Sequence, residues 1–152
     1  MKYILLPLIL LTFISCSTNN DTEQKDFRTE NNQEIIDYIA ANNLNAQESA
    51  SGLYYVINEP GTGVQPTTTS NVTVAYKGYF TDGNVFDESS ATGISFSLQQ
   101  VIPGWTEGIT YFKEGGSGIL LIPSHLAYGN VGRAGIPGGA VLIFDVNLIS
   151  VN

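Results

Sequence analysis

The 152 residues include one cysteine (Cys16), one histidine (His125) and only six lysines and arginines. A lone cysteine forms no intramolecular disulfide. A structural zinc site normally takes four Cys and His ligands, so the count excludes one, and no segment has the spacing of an EF-hand calcium loop. Fourteen acidic residues against the six basic ones give a formal net charge of -8. That excludes the basic footprint nucleic acid requires, and also electrostatic docking on anionic lipid. The apolar run Ile4 to Ile14 is interrupted by Pro7 and Thr12 and falls short of the roughly 20 residues a spanning helix needs. There is no internal repeat, and no motif implies a cofactor.

What is present begins with an export signal over residues 1–15: Lys2 as a minimal basic start, then the apolar run, then Phe13-Ile14-Ser15-Cys16. That ending resembles the bacterial lipobox, with Phe13 where leucine is commonest. The resemblance implies cleavage before Cys16, a lipid anchor on its sulfur, and a place in the bacterial cell envelope, facing the periplasm. Residues 16–30 are polar and cannot bury enough surface to fold alone. As a flexible tether they would span roughly 20 Å. A short helix is expected within residues 31–46, with Ile35, Ile36, Ile39 and Tyr38 on one face and Asn31 with Glu34 forming a capping box.

From residue 51 to 152 the character changes to strands and tight turns, rich in glycine and tyrosine. Gly52 to Ile57 is strand-like, and Val72, Val74 and Tyr76 alternate with Thr73, Ala75 and Lys77. Asp82-Gly83 supplies a hairpin turn before Val85-Phe86-Asp87. Ile94, Phe96 and Leu98 alternate again. Pro103 and Gly104 then break the extended run, and Trp105, Ile109 and Phe112 follow at helical spacing. Ile119 to Ile122 reads as a buried strand. The stretch from Pro123 to Gly139 is a long loop of the kind usually kept for function. The last strand carries Leu142, Phe144, Val146 and Leu148 on one face. The expected fold is α+β: about five antiparallel strands around one short helix, with an extra N-terminal helix. His125, isolated in the loop, is expected to face solvent. Taken alone, Trp105 is either core or the floor of a pocket.

Seven pieces in order carry a resemblance: Val72-x-Val74-x-Tyr76-x-Gly78, Asp82-Gly83-x-x-Phe86-Asp87, Phe96-x-Leu98, Val101-Ile102-x-Gly104-Trp105-x-Glu107-Gly108, Ile122-Pro123-x-x-Leu126-Ala127-Tyr128-Gly129, Ile136-Pro137, and Leu142-x-Phe144-x-Val146-x-Leu148. Together they are similar to the FKBP-type peptidyl-prolyl cis-trans isomerase domain, over roughly residues 51–150. The resemblance implies a cleft between sheet and helix. Its catalytic lining would be Tyr76, Phe86, Asp87, Trp105, Tyr128 and Phe144, and its substrate-binding edge Ile94, Val101, Ile102 and Ile136. It further implies that the Tyr128 hydroxyl and the Ile102 N–H donate to substrate carbonyls, that Asp87 accepts from the Tyr76 hydroxyl, and that macrolide inhibitors have a site there. The sequence departs from the pattern in four places: Ile94 where many members have phenylalanine, the short Gln99-Gln100 link, Gly138-Gly139 after Ile136-Pro137, and Phe112 where methionine is common.

The function expected on this basis is rotation of X-Pro bonds in exported, proline-containing polypeptides, by an apolar cleft that needs no nucleophile or metal. Two other readings stay open: a chaperone that holds apolar segments without turnover, and a structural envelope lipoprotein using its first helix as a contact surface.

Overall fold

The computed structural model describes residues 25–152. The signal of residues 1–15, the lipidation of Cys16 and most of the 16–30 tether lie outside the described residues. In chain order the elements are α1 (Arg28–Ala41), β1 (Gln47–Glu48), β2 (Tyr54–Glu59), β3 (Asn71–Tyr79), β4 (Val85–Glu88), β5 (Ile94–Ser97), α2 (Pro103–Gly108), β6 (Ser117–Ile122) and β7 (Leu142–Val151). The strands form one antiparallel sheet in the order β1-β2-β6-β7-β3-β4, with β5 pairing to β3. Seven strands stand where about five were expected. The two-residue β1 is too short for periodicity to reveal, and the segment returning from the Asp82-Gly83 turn divides into β4 and β5.

Strand alternation gives the sheet two faces. On the inner one, Leu142, Phe144, Val146 and Leu148 of β7 meet Leu120 and Ile122 of β6 and Val72 and Val74 of β3. Helix α2 lies across this face and continues as a tighter turn through Tyr111. Pro103 suits the first helical turn, where its missing N–H costs nothing. Gly104 and Gly108, four apart, face β6. A methyl group on Gly108 would stand 2.7 Å from Leu120 Cδ2, and one on Gly104 would press into Ile122 Cγ2. Two absent side chains therefore let the helix backbone settle on the sheet and bring Trp105, Ile109 and Phe112 into the core.

The outer face carries a second apolar cluster, in which Ile35 of α1 is fully buried with Tyr54, Val56, Leu121, Val141 and Ile143. Ile39 and Tyr38 pack around it, whereas Ile36 is 41% exposed and lies off the contact face. The helix starts and ends earlier than expected, and Asn31 is not its cap. Asp26 Oδ1 accepts from the Arg28 N–H at 3.0 Å, while Asn31 lies inside the first turn and is 1% exposed. Its carboxamide is committed to groups far away in sequence, which no local pattern could show.

Candidate active site

The floor of the main cleft is Trp105, 5% exposed and ringed by aromatics. Tyr76 meets it at 5.1 Å between ring centres and 86°, Phe144 at 5.2 Å and 89°, and Phe96 at 5.4 Å and 60°. Phe86 in turn stands edge-on to Phe144 at 5.5 Å. Edge-to-face pairs of this kind set positive ring edges against negative faces and fix the rings relative to one another. The rings come from four strands and one helix, so the sheet's register sets the cleft: Gly78 opposite Phe144 and Asp87, and Tyr76 opposite Val146.

The cleft has a volume of about 590 Å³. Every side chain marked by the sequence resemblance lines it: Tyr76, Phe86, Asp87, Trp105, Tyr128 and Phe144, with Ile94, Val101, Ile102 and Ile136. The Tyr76 hydroxyl donates to Asp87 Oδ2 at 2.7 Å. Burial first, and then that bond to a carboxylate, push the Tyr76 phenol up to about 12. Tyr76 is thus a fixed neutral donor to Asp87, and the pair stiffens one wall.

Two donors remain for a bound chain. The Ile102 carbonyl accepts from Trp105 N–H and Thr106 N–H at 2.9 and 3.1 Å and starts α2. The Ile102 N–H itself has no acceptor among the described residues. On the far rim, Arg133 Nη1 donates to the Tyr128 oxygen at 3.1 Å, with the guanidinium carbon 5.0 Å from the ring centre. One lone pair of the phenol is thereby occupied by a cation, and its O–H proton remains available to donate. The Gln99-Gln100 link forms a single tight turn, Leu98–Gln100, started by the Ser97 hydroxyl accepting from Gln99 N–H at 3.3 Å. It hands Val101 and Ile102 directly to the cleft edge and adds Gln100 to the lining.

Residues 63–149 match the family described as FKBP-type peptidyl-prolyl cis-trans isomerase. The chain belongs to this family. A probable FKBP-type isomerase, FkpA, of Neisseria meningitidis is 50% identical over 106 residues, covering 68% of this chain and 39% of the relative. FkpA of Escherichia coli K12 is 39% identical over 137 residues, covering 89% and 47%. This chain spans less than half the length of those curated relatives. Among solved structures, the crystal structure of Escherichia coli FkpA superposes with a TM-score of 0.74 at 37% identity, covering 86% of this chain and 63% of that one. A peptidyl-prolyl isomerase of Pseudomonas syringae gives 0.74 at 31% identity, covering 83% and 93%.

The FKBP-type cleft also contains residues that motif reading did not assign to it: Phe96, Gln100, Arg133, Ala134 and Gly135. Phe96 shares the parity of Ile94 on β5, which was a usable signal. Arg133 to Gly135 lie in an aperiodic loop and offered none. Glu107, on the back of α2, accepts from the Ser51 hydroxyl at 2.7 Å and the Tyr111 hydroxyl at 2.8 Å. Burial works to raise its carboxyl, but hydrogen bonds from Ser51, Ser49 and Tyr111 outweigh it and hold the group below the usual carboxylate range. His125 does not face solvent as expected. It is half-buried above Gly52, and because a carbonyl can only accept, its Nε2 donates to the Ser51 oxygen at 3.0 Å. The ring closes a structural contact between the loop and the start of β2, away from the cleft.

Proposed function

We propose that this protein is a peptidyl-prolyl cis-trans isomerase acting on extended, proline-containing chains. One observation carries the reading: an aromatic floor of edge-to-face rings lies in one cleft with Tyr128 and Ile102, whose O–H and N–H have no acceptor among the described residues. The barrier to X-Pro rotation, about 18–20 kcal/mol, is amide resonance. At the twisted transition state that resonance is lost, and the amide is less polar than the planar form. A dry aromatic cleft holds the twisted form better than water does, and a preference of that sign is catalysis by differential binding. In this reading Trp105 seats the proline ring, Phe86, Phe144 and Tyr76 wall it, and Ile94 and Ile136 touch the flanking residues. Tyr128 and Ile102 hold the neighbouring carbonyls while the bond turns. Asp87 acts by keeping Tyr76 in place. A thousandfold to millionfold acceleration requires about 4–8 kcal/mol of such preference.

A protease-free assay of X-Pro exchange on the chain from residue 17 onward tests this reading. Acceleration that a macrolide of the FKBP-binding class suppresses is expected, and an unchanged exchange rate overturns it. Holding without turnover is the second reading, favoured by Ile94, an apolar residue of the cleft lining that is 47% exposed. Suppressed aggregation of an unfolded client without isomerisation would establish it. The clients are taken to be exported chains, with the protein anchored in the envelope through Cys16. This rests on the signal-like run and the Ser15-Cys16 junction. Cys16→Ala should move the protein from the membrane to the soluble fraction, and membrane retention in that variant would refute the anchor.

A further inference from the structure

The loop after β6 supplies Tyr128 and Ile136 to the cleft, and its two ends are joined by a single side chain from outside the family-matched segment. Asn31 of α1, 1% exposed, accepts from the Ser124 N–H at 2.8 Å through Oδ1 and donates through Nδ2 to the Gly139 carbonyl at 2.8 Å. Those partners lie 93 and 108 residues away in sequence. A carboxamide can do both at once through two separate atoms, its oxygen accepting and its nitrogen donating. Inside the loop, Gly129 N–H donates to Ser124 O at 2.8 Å and Gly139 N–H to Gly129 O at 2.9 Å. The base of the loop is therefore a closed set of hydrogen bonds, with Asn31 bridging the residues at either end.

Gly139 is shaped for this contact. Its φ of +78° suits glycine, and a methyl group there would stand 2.5 Å from Phe27 Cε1. The ring of the residue just ahead of α1 thus packs into the space a side chain would fill. The departure from the family pattern at Gly138-Gly139 is, on this chain, the seat of the N-terminal helix.

We propose that Asn31 is a positioning residue for the cleft: by tying Ser124 to Gly139 it sets where Tyr128 and Ile136 stand against Trp105. The proposal rests on the isomerase reading for its kinetic consequence, but not for its structural one. Asn31→Leu keeps the approximate shape and removes both bonds. Asn31→Asp keeps the acceptor for Ser124 and sets a second oxygen against the Gly139 carbonyl. Tyr54→Phe is the control, since it cuts the 2.8 Å bond from Tyr54 to Asn32 on the same helix without touching the loop.

In the full chain, with a Leu-Pro tetrapeptide, both Asn31 variants should raise KM about threefold to tenfold, the scale of one or two lost hydrogen bonds. They should change kcat less, and keep a cooperative melt. Tyr54→Phe should keep the parent KM. Deuterium exchange should speed up over residues 124–139 in the Asn31 variants and stay as in the parent over β3 and β7. A merely structural role would instead lower stability throughout and leave KM unmoved in the folded fraction.

In the unaltered protein the 124–139 amides and those of residues 28–41 should open together, which holds the proposal to account even if neither Asn31 variant folds. Loop exchange that is independent of the helix, or a parent-like KM in Asn31→Leu, overturns it. Absence of any isomerisation by the parent would defeat the isomerase reading instead, and the exchange measurements would still decide the clamp.

Discussion

At the scale of single residues, Trp105 serves both core and cleft: its contacts with Tyr76, Phe96 and Phe144 fix it, and its remaining surface meets whatever enters. Replacing it by leucine removes a planar floor while leaving an apolar residue, so Trp105→Leu should lower kcat/KM by about tenfold or more, a loss of at least 1.4 kcal/mol at the transition state. The far-ultraviolet spectrum should be unchanged. Asp87→Ala strips the Tyr76 hydroxyl of its acceptor. It should slow turnover and cost about 1 kcal/mol of stability, read as a lowered denaturant midpoint. Glu107 gives a prediction in pH. Its folded carboxyl lies below the ordinary value of 4.5, so its contribution is full above that pH and drains away as the pH falls through the folded value. Glu107→Gln cannot ionise and should flatten the acid limb of the stability curve relative to the parent, as seen in urea midpoints from pH 6 downward.

At the scale of elements, the cleft was legible where chemistry is written in short local motifs. Phe86-Asp87, Val101-Ile102 and Trp105 each sit beside turn residues that announce a change of direction, and strand alternation puts Tyr76 and Phe144 on the same face. The N-terminal helix was legible as a helix but not in its attachment. Asn31 followed by Glu34 has the form of a cap, and only the fold reveals that its amide is taken by Ser124 and Gly139. Ile143, set in the alternating run of β7 on the side that Asp145 and Asn147 share, was the available hint that the outer face is covered too. For α2 the decisive feature is what is missing at Gly104. Alanine there would favour the helix by up to about 1 kcal/mol, yet its methyl group meets Ile122 Cγ2, which is branched at the backbone and cannot swing clear. Overpacking of about 1–3 kcal/mol should win. Gly104→Ala should therefore lower thermal stability and, by lifting Trp105, lower kcat/KM as well.

At the scale of the whole molecule, one sheet separates two apolar clusters, and the outer one depends on α1. Ile35 is fully buried against strands β2, β6 and β7, so Ile35→Ala should cost about 2–5 kcal/mol. A 51–152 fragment should unfold at lower denaturant than a 25–152 fragment, because Tyr54, Val56, Leu121 and Ile143 lose their cover. The strand order has a further consequence. At one border the sheet ends in β1, two residues long and bearing Glu48; at the other, β4 and β5 lie end to end along β3, four residues each, and β4 carries Asp87 and Glu88. A second chain seeking a template for cross-strand pairing meets only strands of two and four residues at these borders, with carboxylates on β1 and β4. Pairing of the sheet with another extended chain is thereby kept to short, interrupted registers, so the fold offers a poor template for edge-to-edge growth.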